Sequence, residues 1–207
     1  MTQSFPWKAV AKRGLLVVYA AFAVRAQQPG RAFTVIIRDQ SGLRPATLSR
    51  MNEDLTRIFS RVGITVRIVG GASAEAAGDD FASTGSCRFE LRIVPDAKPK
   101  KPGVLGTASL GERSGQYAVL HLPSIRQVAL EACWGESELM ARVAAHEIGH
   151  LLLDSPQHAG AGLMQANWSP GYLLMIPHSQ LEFLPREAQL MHLRLTSEIA
   201  QYTQQVI

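Results

Sequence analysis

Cysteine is scarce: Cys87 and Cys133 are the only two in 207 residues. Two thiols cannot build a structural zinc site, which needs four ligands. Long apolar runs are missing as well. The longest, GLLVVYAAFAV at 14–24, has 11 residues, whereas a membrane-spanning helix needs about 20. The sequence holds no glycine-rich phosphate loop and no Ser-His-Asp order of a hydrolase triad. Nor is there a basic surplus to bind nucleic acid. The formal charge is +4, but residues 1–26 contain Lys8, Lys12, Arg13 and Arg25 and no acid, which leaves 17 basic and 17 acidic residues in the remainder. A balanced chain has no electrostatic footprint for phosphates. With 46% hydrophobic and 18% charged residues, disorder, collagen and coiled-coil arrays are excluded and one globular domain is expected.

The first 26 residues have the three-part layout of a secretory signal peptide: basic residues, a short apolar run, and small residues at Val24 and Ala26 flanking Arg25. Cleavage after Ala26 is expected, giving a secreted or periplasmic protein that begins at Gln27 and keeps no membrane anchor. In an oxidising compartment Cys87 and Cys133 are expected to pair, closing a loop worth roughly 4 kcal/mol.

Residues 27–207 read as one α+β domain. FTVIIR (33–38) is β-branched and aromatic and predicts a strand; Leu48, Met51, Leu55, Ile58, Phe59 and Val62 recur at helical spacing until Gly63, and ITVRIV (64–69) alternates as a second strand. Strand, helix and strand in that order predict a βαβ unit with parallel neighbours. CRFELRIV (87–94) and YAVLHL (117–122) are further strands, VLGTASL (104–110) an edge segment, and 70–86 and 95–103 loops. Beyond Pro123 the pattern turns helical, with long helices predicted over 136–154 and 185–205. Met191, Leu195, Ile199 and Tyr202 form a stripe that packs the last helix on the core.

The chemistry lies in AAHEIGHLLLDSPQHAGAGLM (144–164). His146, Glu147 and His150 form H-E-x-x-H, which on a helix puts both imidazoles on one face, within reach of a single Zn²⁺. Glu147 is placed to take a proton from a water that the metal activates. The helix around them is apolar and therefore buried, which makes these polar groups costly unless something binds them. Pro156 stops the helix near Ser155. His158 follows, where a chain turning back beneath the helix delivers a third nitrogen. Asp154, about two turns below His146, and Glu187 on the last helix compete for that third position.

These residues resemble the metzincin clan of zinc peptidases, whose pattern H-E-x-x-H-x-x-G-x-x-H is followed by a turn containing methionine. HEIGHLLL is also similar to a group of exported bacterial zincins. The resemblance covers 33–205 in order of elements and 146–164 in motif. It implies a zincin-like domain with a twisted mixed sheet, a buried active-site helix, a Met-turn and a C-terminal helix. It further implies one catalytic Zn²⁺ on His146, His150 and His158, Glu147 as general base, and Met164 as the floor under the metal. Leu153 stands where the clan has its helix-ending glycine and Pro156 where it has the third histidine; His158 comes two residues later. A helix prolonged by about a residue and turned at Asp154 absorbs that offset, because Asp tolerates left-handed backbone.

The function that the resemblance implies is hydrolysis of peptide bonds by a monomeric zinc metalloendopeptidase acting on peptide or protein substrates, bound in extended form along the 104–110 edge; the water-activating chemistry by itself serves other amides equally. The alternative is a zincin-shaped protein that holds zinc without turnover. Tyr172 matches an oxyanion-stabilising tyrosine by spacing alone and reads better as a loop residue. His121 reads as a strand residue, and His178 and His192 as surface or helix-flank residues.

Overall fold

The computed structural model describes residues 31–70, 87–95, 103–111 and 116–206, with side chains as far as 197. The leader and most of the two loops at 70–86 and 95–103 lie outside the described residues. Strands β1 (Ala32–Asp39) and β2 (Thr65–Gly70) flank helix α1 (Pro45–Arg61) and run parallel, with Phe33 opposite Val66. This is the βαβ unit that the periodicity predicts. Proline in the first turn of α1 loses no intrahelical bond. Gly63, at φ 74°, ends the helix by accepting a left-handed backbone that a side chain would strain.

Sheet order is β2-β1-β3-β5-β4. Strand β3 (Cys87–Val94) adds parallel to the other side of β1, and β5 (Tyr117–His121) parallel to β3; β4 (Gly106–Ser109) closes the sheet as an antiparallel edge on β5. Position explains composition. β1 is buried from Phe33 to Ile37 without a break, as a strand covered on both faces must be, whereas β3 alternates. Phe33 meets Phe59 of α1 at 5.0 Å and Phe89 of β3 at 5.7 Å between ring centres, edge to face.

Four helices follow: α2 (Leu122–Glu131), α3 (Glu136–Leu153), the short α4 (Pro170–Met175) and α5 (Pro185–Val206). Helix α3 is the axis of the molecule. Every residue from Leu139 to Leu152 is buried, because α1, α2, α5 and the β4–β5 edge pack around it. No helix among the described residues is long and apolar enough to cross a membrane.

The expected disulfide is not formed. Cys87 opens β3 with its side chain in the core, while Cys133 sits exposed in the turn between α2 and α3 with φ 55°. One thiol faces inward and the other faces solvent. His178 is exposed, as its surface reading expects, but it also makes specific contacts. It stacks on Trp134 at 3.8 Å and donates from Nδ1 to Glu138 at 2.9 Å, while its carbonyl accepts from the buried Arg142. These bonds tie the segment after α4 to the first turns of α3. His192 donates to the Val62 carbonyl and fastens α5 to the end of α1.

Candidate metal centre

Helical pitch puts His146 and His150 one turn apart on the face of α3 that looks toward the cleft. Each ring is held by its Nδ1, which lies 2.7 Å from a backbone carbonyl: that of Leu163 for His146 and that of Ser155 for His150. A carbonyl can only accept, so both Nδ1 atoms carry the proton and both Nε2 atoms present a lone pair. The lone pairs converge. His150 Nε2 stands 3.1 Å from His146 Nε2 and 3.3 Å from His158 Nε2. Acceptors so arranged repel one another unless a cation lies between them.

The spacing suits zinc. Nitrogens bound at 2.0–2.1 Å in a tetrahedral array stand about 3.3 Å apart. The carbonyl bonds to Nδ1 are the outer support that such ligands use to fix tautomer and ring direction. Three imidazoles with an open fourth side are a donor set for one ion of the hydrolytic type.

The local chain explains how His158 arrives. Asp154 takes the left-handed conformation, φ 48° and ψ 45°, at the end of α3, so the helix runs one residue past the position where the clan has glycine and then reverses. Both competitors are engaged elsewhere. The Asp154 carboxylate accepts from Arg194 at 3.1 Å, and Glu187 accepts from the Leu184 N–H at 2.7 Å, capping α5. The only metal-holding group among the described residues is His146, His150 and His158.

Met164 lies in a tight turn closed by Gln165 N–H on the Gly162 carbonyl, and it is buried beneath α3. Its sulfur would be 2.6 Å from a β-carbon at Gly149. The glycine inside H-E-I-G-H therefore lets the turn press against the helix, a role the motif alone does not reveal. Burial acts on the titratable groups in opposite directions. It lowers His146 to about 4 and lowers His150 as well, and it raises Glu147 to about 8.

A cleft of about 360 Å³ opens over the cluster. Residues 103–108, which take in most of β4, line it together with Gln165, Ala166 and Trp168. Trp168 was not singled out by the sequence. Its ring meets His146 edge-on at 5.3 Å, and an isolated tryptophan four residues past a turn carries no local signal of that contact. Tyr172 lies instead on α4, half-buried against the core. His121 is buried at the end of β5, in keeping with its reading as a strand residue.

Fold and cluster together define a zincin-like domain with three histidines gathered at the end of its central helix. No protein-family model matches the chain, and no curated protein matches it in sequence. Solved structures do. A zinc-dependent peptidase from Methanocorpusculum labreanum superposes with a TM-score of 0.51 at 13% identity, over 76% of this chain and 99% of that one. Archaemetzincin from Methanopyrus kandleri gives 0.47 at 16% identity over 80% and 97%. Metalloproteinase-II from Bacteroides fragilis gives 0.48 at 14% identity, covering 80% of this chain but 53% of that one, so this chain spans about half its length. At such identities the likeness is one of fold.

Proposed function

We propose that the chain is an exported zinc-dependent endopeptidase, holding one zinc ion on His146, His150 and His158 and using Glu147 as general base. The observation that carries this reading is the convergence of three imidazoles, two of them with their Nδ1 tied to backbone carbonyls, beside a buried carboxylate. The shared fold with a zinc-dependent peptidase supports it. When bound there, zinc lowers the pKa of a water toward about 7 and polarises the carbonyl under attack.

The chain's own groups do the rest. Glu147, carried by α3 beside the three imidazoles, accepts the proton of the attacking water and returns it to the leaving amine. His146 and His150, kept neutral by burial, which outweighs the opposing pull of their carbonyl partners, remain ligands in mild acid. The outer edge of β4, the last strand of the sheet among the described residues, is where an extended peptide would add, and Trp168 lines the same cleft. The substrate is a peptide or protein, the enzyme a monomer, and its location secreted or periplasmic, as the leader at 1–26 implies.

Metal analysis of the purified protein is expected to find one zinc per chain, and a peptide-library digest is expected to stop on chelation. Glu147→Ala is expected to lower turnover by at least about 10²- to 10⁴-fold with zinc retained. Zinc bound without cleavage of any peptide would instead make this a zinc-holding protein. Mass spectrometry of exported material is expected to find Gln27 at the N-terminus, and an intact Met1 to Ala26 segment would overturn cleavage after Ala26.

A further inference from the structure

Gly106 opens β4 directly opposite Glu147. A β-carbon built there would lie 2.8 Å from Glu147 Cγ, 2.8 Å from Oε1 and 3.0 Å from Cδ, closer than carbon and oxygen atoms approach without displacement. Backbone shape does not demand this glycine. Its φ is not among the positive values found at Gly42, Gly63, Gly103 and Gly162, and glycine inside a strand costs about 0.5–1 kcal/mol relative to alanine. What the position demands is space.

Glu147 needs a fixed seat, since a glutamate has three side-chain torsions and a proton acceptor must be held within about 0.5 Å of its working position. Among the described residues no hydrogen bond or ion pair holds its carboxylate. Contact does so instead: α3 carries the side chain, and the bare backbone of β4 closes over it at Gly106, itself anchored by pairing with Leu120 of β5.

We infer that Gly106 is a positioning residue for Glu147, its missing side chain forming the slot that seats the carboxylate. Its catalytic consequence rests on the peptidase reading above; the slot does not. Any side chain at 106 turns Glu147 out of line while leaving the three histidines in place. A second possibility is that glycine is kept so that a substrate backbone can come close, and this predicts weaker binding with unchanged turnover.

A double-mutant cycle on the zinc-saturated mature protein separates these. Gly106→Ala is expected to lower the melting temperature by about 2–4 °C or more when Glu147 is present and to leave it unchanged or raised in the Glu147→Ala background. Equal shifts in both backgrounds, or none in either, would overturn the slot. On a cleaved peptide, Gly106→Ala is expected to reduce kcat by about tenfold or more, with KM and zinc content preserved. A raised KM with kcat intact would overturn the positioning role in favour of substrate contact. Should the wild type cleave nothing, the peptidase reading fails and the thermal cycle still decides whether Gly106 seats Glu147.

Discussion

His146 and Glu147 are neighbours on α3, and burial moves them apart: the imidazole down to about 4 and the carboxyl up to about 8. Each is neutral in the metal-free fold at pH values where it is charged in the unfolded chain. For Glu147 the stabilisation is full below 4.5 and is lost as pH rises toward 8; for His146 it is full above 6.5 and is lost as pH falls toward 4. The two oppose between 4.5 and 6.5, and only the Glu147 loss remains above 6.5. Chelator-treated protein is therefore expected to lose about 2 kcal/mol between pH 6.5 and 8. Thermal melts of Glu147→Gln should lack that slope, and an identical slope would show that another group causes it. The third nitrogen gives a second test at this scale. His158→Ala is expected to release zinc at chelator concentrations that the parent tolerates, whereas Asp154→Ala and Glu187→Ala retain it, because their carboxylates serve Arg194 and the Leu184 N–H. Zinc kept by His158→Ala and lost by either of the others would reassign the ligand.

At the scale of the element, the end of α3 and the turn beneath it act as one unit. Asp154 reverses the chain, Ser155 presents its carbonyl to His150, Leu163 presents its own to His146, and Met164 fills the space under Gly149. The Leu163 N–H is bonded in turn to the Glu182 carbonyl at 2.8 Å, so the segment leading into α5 holds the turn in place. Gly149 is where the helix and the turn of this unit pack most closely. A β-carbon there meets the Met164 sulfur at 2.6 Å and Phe183 at 3.0 Å, and overpacking of this kind costs about 1–3 kcal/mol. Gly149→Ala is expected to lower the melting temperature by about 2–4 °C for each kcal/mol lost and to weaken zinc binding, as the Leu163 carbonyl is pushed from His146. Calorimetry with a metal titration checks both, and an unchanged zinc affinity would uncouple the turn from the ligands.

For the molecule as a whole, cohesion comes from burial around α3 and not from a covalent link. Cys87 lies within the core and Cys133 on the surface, so protein purified without reductant is expected to contain two thiols after unfolding. In the native state only Cys133 should be alkylated rapidly. No thiol in the denatured monomer would mean that the chain rearranges to form the bond. On the proposed reading the folded chain offers zinc an assembled site that the unfolded one lacks, so added zinc is expected to raise the melting temperature in proportion to the logarithm of its concentration.

The sequence by itself determined the elements and the core of the site. Alternation in 87–94 and the 3- and 4-residue spacing from Leu48 to Val62 reflect which side of a strand or helix meets the interior, and that depends on neighbours a few residues away. H-E-I-G-H is legible for the same reason, since one helical turn fixes the two imidazoles on one face whatever surrounds it. His158 was legible in part: Pro156 marked the helix end, but the left-handed Asp154 and the carbonyls that aim the rings belong to the folded turn. The tertiary structure alone decided that β3 lies beside β1, that the two cysteines face different environments, that Trp168 borders His146 and that Gly106 makes room for Glu147. Each of these joins residues distant in the chain, whose separation is set by how the helices and sheet close around α3, and no periodicity within one segment encodes that distance.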